Sequence, residues 1–421
     1  MHGPCSHLKV DKASAPTITQ VLSEDQSRVN SIHFRLNFNS GLQSGRDSES
    51  TLQANAGPLQ VSEVTLPANS GLSLGTGSYI VVVGLGQPKS DYSLAFDTAS
   101  DITWTQCQPC VVKCYDQKDK KFDPRLSTTY KNVSCNSSQC SQLTSATGND
   151  LPCSGSTCVY GIQFADQSFS IGFFATETLT LTPTDVFPNF LFGCGQNNQG
   201  LFGGIAGLLG LGRNNLSLVS QTSSKYGEYF SYCLPTPSSS NGHLTLGKGA
   251  QCNALKLTPM TVNPKAPSFY FIEVKGIKVG GQALPISQSV FSTAGTIIDS
   301  GTFITRLPPA AYSCMRTTFR QQMKSYPMTQ PFSILDTCYD ISNYTTVTVP
   351  KISFIFAPHI EVSIAVEGTV VLASQSQLCL AFAGNDDASD VGIFGNFQQQ
   401  TLEIAYDVAG GSLGFAPGEC S

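Results

Sequence analysis

The sequence predicts an all-β chain folded as two similar lobes that face each other across a cleft. Three observations carry this expectation. From Tyr79 onward the chain is a succession of short strand-type runs, helix-length periodic segments are few, and one pattern recurs at roughly half-chain spacing. With 421 residues there is room for two lobes, each with a sizeable core.

The runs "YIVVVGLG", "YSLAFD", "LTLTP", "FLFGC", "HLTLG", "FYFIEVKGIKVGG", "TVTVPKISFIF", "TLEIAYDV" and "SLGFAP" are separated by Gly, Pro and Ser turns. Two short helices are expected, over "LSLVSQTSSKY" and over "PPAAYSCMRTTFRQQM", the second opened by prolines. Residues 1–66 differ from the rest. There "VLSEDQSRVNSIHFRL" has helical apolar spacing, and the polar, Gly/Ser-rich tract after it reads as a linker. The expected division is a detachable region 1–66, a first lobe 67–250 and a second lobe 251–421.

The repeat is the informative feature. An apolar strand runs into Asp97-Thr98-Ala99-Ser100 in "LAFDTAS", and a second runs into Asp299-Ser300-Gly301-Thr302 in "TIIDSGT". Downstream of each lies an apolar-apolar-Gly element, "AGLLGLG" in one half and "VGIFGNF" in the other. The two acids stand 202 residues apart. Lobes related by a pseudo-two-fold would bring both Asp turns to the seam.

Composition removes several functional classes. Charged residues make up 13% of the chain, against about 25% in ordinary domains, the net charge is -5, and no basic tract suits nucleic acid. The run "LFGGIAGLLGLG" is too short and too glycine-rich to span a membrane. Fifteen cysteines point to an oxidising, secretory route. The alternative of zinc fails because Cys107, Cys110 and Cys114 lack a second ligand pair downstream. Sequons at Asn132, Asn136, Asn215 and Asn343 suit a glycoprotein. The first residues, "MHGPCSHLKV", have no apolar core and do not read as a signal peptide.

A lone Asp97 would be read as a turn former bonding its own backbone; its repetition at Asp299 overturns that. Two carboxyls about 3 Å apart share one proton. The ionised member can deprotonate a water held between them, and the protonated member can polarise an amide. Small and hydroxyl neighbours suit the task, since backbone N–H groups with Ser100 or Thr302 can bond the outer oxygens. No spacing supports a Ser-His-Asp triad, and no Lys-Ser/Thr follows the "GLLGLG" glycines as a phosphate loop would require.

The twin "DTAS" and "DSGT" turns, Trp104 seven residues after Asp97, and the paired apolar-apolar-Gly elements resemble the pepsin-like aspartic proteases. The cysteine ladder 107, 110, 114, 135, 140, 153, 158 is similar to that of the plant nepenthesin-like subgroup. The resemblance covers about residues 70–421 and implies a bilobal pepsin-like fold with Asp97 and Asp299 catalytic, Trp104 on the site wall and "IQFADQSFS" as a flap. It implies a prosegment in residues 1–66, an acid-active secreted endopeptidase of the apoplast or vacuole, protein or peptide substrates, a monomeric state and no cofactor or metal. It further implies the bridges Cys107–Cys110, Cys114–Cys194, Cys135–Cys158, Cys140–Cys153, Cys233–Cys420 and Cys338–Cys379, leaving Cys5, Cys252 and Cys314.

Two positions depart from the family pattern, which has Gly at position 99 and Tyr-Gly where Phe164-Ala165 stands. Ala99 retains its N–H; its methyl costs little if φ is negative and about 1 kcal/mol or more if φ is positive. Phe164 has no hydroxyl to offer the Trp104 indole. These departures support an alternative reading, a catalytically impaired relative acting as a binding or inhibitor protein at the cell wall.

Overall fold

The computed structural model describes residues 5–9, 18–38, 62–149, 153–163, 168–200, 202–236, 242–248 and 255–418. The first Asp turn is held by strands on both sides of it. Tyr79–Leu85 pairs antiparallel with Ser90–Asp97, which pairs parallel with Gly207–Gly210 so that Gly210 lies beside Asp97. Gly207–Gly210 also pairs antiparallel with Trp104–Gln106, which runs parallel to Asp185–Gln199. The long hairpin Phe169–Thr182 and Asp185–Gln199 contributes Phe174, Leu179, Phe190 and Phe192 to the buried interior of this lobe.

The second lobe repeats the arrangement. Thr296–Ile298 runs parallel to Gly392–Phe394 in the same sense, and Thr305–Leu307 runs parallel to Phe382–Gly384. Matching hydrogen bonds support the equivalence: Gly210 N–H donates to Thr103 Oγ1 at 3.1 Å, and Gly395 N–H to Thr305 Oγ1 at 3.0 Å. Thr103 and Thr305 are again 202 residues apart. At both glycines an added Cβ would strike a backbone carbonyl, of Asp101 and of Phe303 respectively. The close crossing of strand over loop therefore requires glycine.

An antiparallel sheet joins the lobes in the order Val64–Ser70, Gly242–Leu246, Tyr229–Cys233, Leu402–Asp407, Ser412–Pro417, Lys256–Thr261. Its apolar face is locked by rings: Phe230 stacks on Tyr406 at 4.3 Å, and Tyr270 meets Tyr406 edge-on at 4.7 Å. The strand Val64–Ser70 runs across position 66, where the detachable region was expected to end.

The expected helices are present as Leu218–Gln221, Ser223–Tyr226 and Pro309–Gln322, and the helical spacing near the N-terminus forms the 21-residue helix Ile18–Phe38. The linker tract beyond Phe38 lies outside the described residues. A helix over Ser138–Thr147, capped by the Ser137 hydroxyl, was not expected from the sequence.

Four of the implied bridges are corrected. The structure pairs Cys107 with Cys194, Cys110 with Cys114, Cys135 with Cys153 and Cys140 with Cys158. The parallel pairing of Thr105 with Cys194 sets Cys107 beside that strand, its N–H on Gly195 O, whereas Cys110 stays in the loop within reach of Cys114. Cys140, on the Ser138–Thr147 helix, faces the strand end at Cys158, leaving Cys135 to Cys153. Cys338–Cys379 forms as implied, across the antiparallel pair of Cys338–Asp340 with Gln377–Leu380. Cys233 is disulfide-bonded, and Cys314 is free. Cys252 and Cys420 lie outside the described residues.

Candidate active site

Asp97 ends the strand Ser90–Asp97 and Asp299 follows Thr296–Ile298, so both leave their sheets at the same point of the repeat. Side chains cross the seam in both directions. Thr98 N–H donates to Ser300 Oγ at 3.1 Å, and Ser300 N–H donates to Thr98 Oγ1 at 2.9 Å. These buried bonds fix one turn against the other and set the two carboxyls face to face.

Each carboxylate is held by the same pair of donors. Ala99 N–H donates to Asp97 Oδ1 at 2.9 Å and Ser100 Oγ to Oδ2 at 2.5 Å. Gly301 N–H donates to Asp299 Oδ1 at 3.0 Å and Thr302 Oγ1 to Oδ2 at 2.5 Å. Both acids are buried, at 1% and 0% exposure. Ala99 is not among the residues with positive φ, so its methyl brings no backbone strain.

The helix Ile18–Phe38 lies in the cleft and supplies a cation to this pair. Arg28 Nη2 donates to Asp97 Oδ1 at 2.6 Å and to Asp299 Oδ1 at 2.9 Å. Nη1 reaches Asp97 Oδ2 and Nε reaches Asp299 Oδ2, each at 3.0 Å. One nitrogen thus takes the place from which both carboxylates could hold a water. Burial alone would raise the Asp97 carboxyl, but the Arg28 charge and the bonds from Arg28, Ser100 and Ala99 outweigh it and hold the group below its ordinary range. Burial would likewise weaken the Arg28 charge, yet the two carboxylates keep the guanidinium more firmly protonated than usual.

Other contacts fasten the helix. Val29 and Ile32 pack with Ala99, Phe269 and Ile297, while Ile18, Val21 and Leu22 pack with Phe303, Ile304 and Phe397. Arg35 donates to Ala99 O at 3.1 Å and lies over the Phe269 ring at 4.8 Å. Asp25 and Arg306 form a buried ion pair at 2.7 Å.

Trp104 is fully buried against Phe202, ring centroids 5.2 Å apart. Its Nε1 has no hydrogen-bond partner among the described residues. The flap strands Val159–Gln163 and Phe169–Thr182 pair as expected, whereas Phe164 itself lies outside the described residues.

Sequence reading missed Asp25, Arg28, Arg35 and Arg306. A signal for three of them exists: Asp25, Arg28 and Arg35 fall within the apolar stripe of Val21, Val29 and Ile32, where charges are out of place unless paired. Arg306 carried no such signal.

Two lobes meeting at paired, hydrogen-bonded aspartates define an aspartic endopeptidase of pepsin-like architecture. Residues 79–248 match the xylanase inhibitor N-terminal family and residues 269–417 the xylanase inhibitor C-terminal family. An aspartyl protease family protein of Arabidopsis thaliana is 53% identical over 420 residues, covering all of this chain and 86% of the relative. Aspartic proteinase nepenthesin-2 of Nepenthes gracilis is 36% identical across 82% of this chain and 78% of its own length. Among solved structures, the basic 7S globulin from soybean superposes with a TM-score of 0.68 at 23% identity, covering 85% of this chain and 96% of that one, which shows the shared fold. The chain belongs to the pepsin-like aspartic proteases, in the plant nepenthesin-like subgroup.

Proposed function

We propose that the protein is made as a latent aspartic endopeptidase in which the helix Ile18–Phe38 closes the cleft until acid releases it. The single observation that carries this reading is Arg28, bonded at once to Asp97 and Asp299. With the helix gone, the pair binds a water in its place. The ionised carboxyl takes the water's proton as it attacks the peptide carbonyl, and the protonated carboxyl donates to the amide as the bond breaks. The outer donors at Ala99, Ser100, Gly301 and Thr302 keep both carboxyls oriented throughout.

Protein or peptide substrates follow from the family. Five disulfides among the described residues support an oxidising, secretory compartment, and the reading includes a monomeric enzyme. Retention of both aspartates weighs against a binding-only role. The test is acid treatment of the full chain, then turnover of a quenched peptide library with and without a transition-state-mimicking inhibitor. Inhibitor-sensitive turnover, abolished by Asp97→Asn and by Asp299→Asn, supports the reading; turnover untouched by either substitution contradicts it.

A further inference from the structure

Asp25 occupies a built anion site on the second lobe. Its Oδ1 accepts from Phe303 N–H at 2.5 Å; its Oδ2 accepts from Ile304 N–H at 3.3 Å and from Arg306 Nη2 at 2.7 Å. All three donors lie in the segment just after Asp299. The Arg306 side chain is 2% exposed, and its Nε and Nη1 have no partner among the described residues.

The donors and the acceptor belong to different parts of the chain. Phe303, Ile304 and Arg306 stay with the lobe when the helix leaves, whereas Asp25 goes with the helix. A buried guanidinium is stable only opposite an anion, so departure of Asp25 leaves a cationic place beside the dyad. Asp25 is one turn from Arg28, a rise of about 5 Å, which an extended peptide spans in about one to two residues. By the 202-residue spacing Arg306 is the counterpart of Trp104, so the lobes present a guanidinium and an indole at equivalent places. Nearby, His33, Asp386 and Asp390 line a polar cavity with Arg306, and Tyr312 and Asp386 act on its charge; the bond to Nη2 comes from Asp25.

We propose that Arg306 and the N–H groups of Phe303 and Ile304 form a carboxylate subsite, so that the matured enzyme favours peptides with Asp or Glu close to the cleaved bond. The proposal rests on the reading that the helix Ile18–Phe38 leaves the cleft. In the latent chain Asp25 stands in for that substrate side chain.

The experiment uses the acid-matured full chain and quenched peptides in which one Asp or Glu is moved through the positions flanking the cleaved bond. Each peptide is paired with its Asn or Gln isostere. At one position kcat/KM is expected to favour the carboxylate about tenfold or more at pH 5, the scale of a buried charge-assisted bond. The ratio should fall toward one as the pH drops to 3 and the peptide carboxyl protonates. Arg306→Gln should bring the pH 5 ratio toward one at that position. A wild-type ratio near one everywhere, or a ratio that Arg306→Gln preserves, overturns the subsite. If Arg306→Gln does not fold, the pH dependence of the wild-type ratio decides. Cleavage without carboxylate preference removes the subsite alone; no cleavage of any peptide, with Asp97→Asn equal to wild type, removes the peptidase reading and the subsite together.

Discussion

Ala99 and Gly301 hold equivalent places beside the two aspartates, each donating its N–H to a carboxylate at 2.9 and 3.0 Å, and Gly301 lies against the Arg28 guanidinium. A Cβ built on Gly301 would lie 2.3 Å from Arg28 Cζ, whereas the Ala99 methyl packs with Val29 and Ile32 of the same helix. One turn tolerates a methyl and the other makes room for the guanidinium.

Gly301→Ala is therefore expected to loosen the latent state while sparing the fold. Gly301 has no positive φ, so alanine suits its backbone, and Ala99 shows that the carboxylate bond survives a methyl. Overpacking of this kind costs about 1–3 kcal/mol, here at the expense of the docked helix. Activation of the full chain should begin at a higher pH than in wild type; the check is peptide turnover against pH, without prior acid treatment.

Ala99→Gly should change kcat of the matured enzyme less than about threefold, because no strain exists to relieve and a difference below about 0.7 kcal/mol is expected. Phe164→Tyr is the more productive change. It restores the hydroxyl that the family pattern carries at this position, and a net hydrogen bond of about 1 kcal/mol corresponds to roughly fivefold in kcat. Steady-state kinetics of the two single variants and the double variant separate these effects.

Acid should open the latent chain, and the sign follows from Asp97. Its carboxyl is held below the ordinary aspartate value while Arg28 is docked, so the clamp is fully present above that value and is lost as the pH falls through the depressed one. Asp25 works the other way, since burial raises it and it gains a proton on the docked helix as the pH drops. Asp101, pushed up to about 6 mainly by burial and near Arg35, also protonates before the clamp yields. Release of the helix is thus expected only well into the acid range, read by the pH at which an N-terminal fragment first separates from the full chain.

Peptide mapping under non-reducing conditions should recover Cys107 linked to Cys194 and Cys338 linked to Cys379. Replacing the second pair by alanines is expected to cost about 2–4 kcal/mol of stability, measured by denaturant unfolding. A Cys107–Cys110 link would contradict the strand pairing described.

The parts legible in the sequence are those with local signatures. Strand runs, the Asp97 and Asp299 turns, and the apolar-apolar-Gly elements each declare themselves in a few residues, and the recurrence of the Asp turns 202 residues apart placed both at one seam. What was not legible depends on distant chain meeting distant chain. Cys107 sits three residues from Cys110, and only the parallel pairing of Trp104–Gln106 with Asp185–Gln199 shows that it belongs to Cys194. Arg306 looks like an ordinary cation of a short strand until Asp25, 281 residues earlier, is placed against it. The helix itself was expected from its apolar spacing; the purpose of the charges within that stripe appeared only with the cleft.

Binding of a transition-state-mimicking inhibitor to the uncleaved chain at pH 6 shows whether Arg28 keeps the catalytic pair closed. Asp97→Asn provides a background without cleavage, so the helix cannot be lost during the measurement. On that background Arg28→Gln removes the buried cation still bonded to the Asp299 carboxylate, a change worth about 3 kcal/mol or more, and inhibitor affinity by calorimetry should rise about a hundredfold over the parent. Equal inhibitor affinity in the parent and in the chain carrying Arg28→Gln would contradict the account.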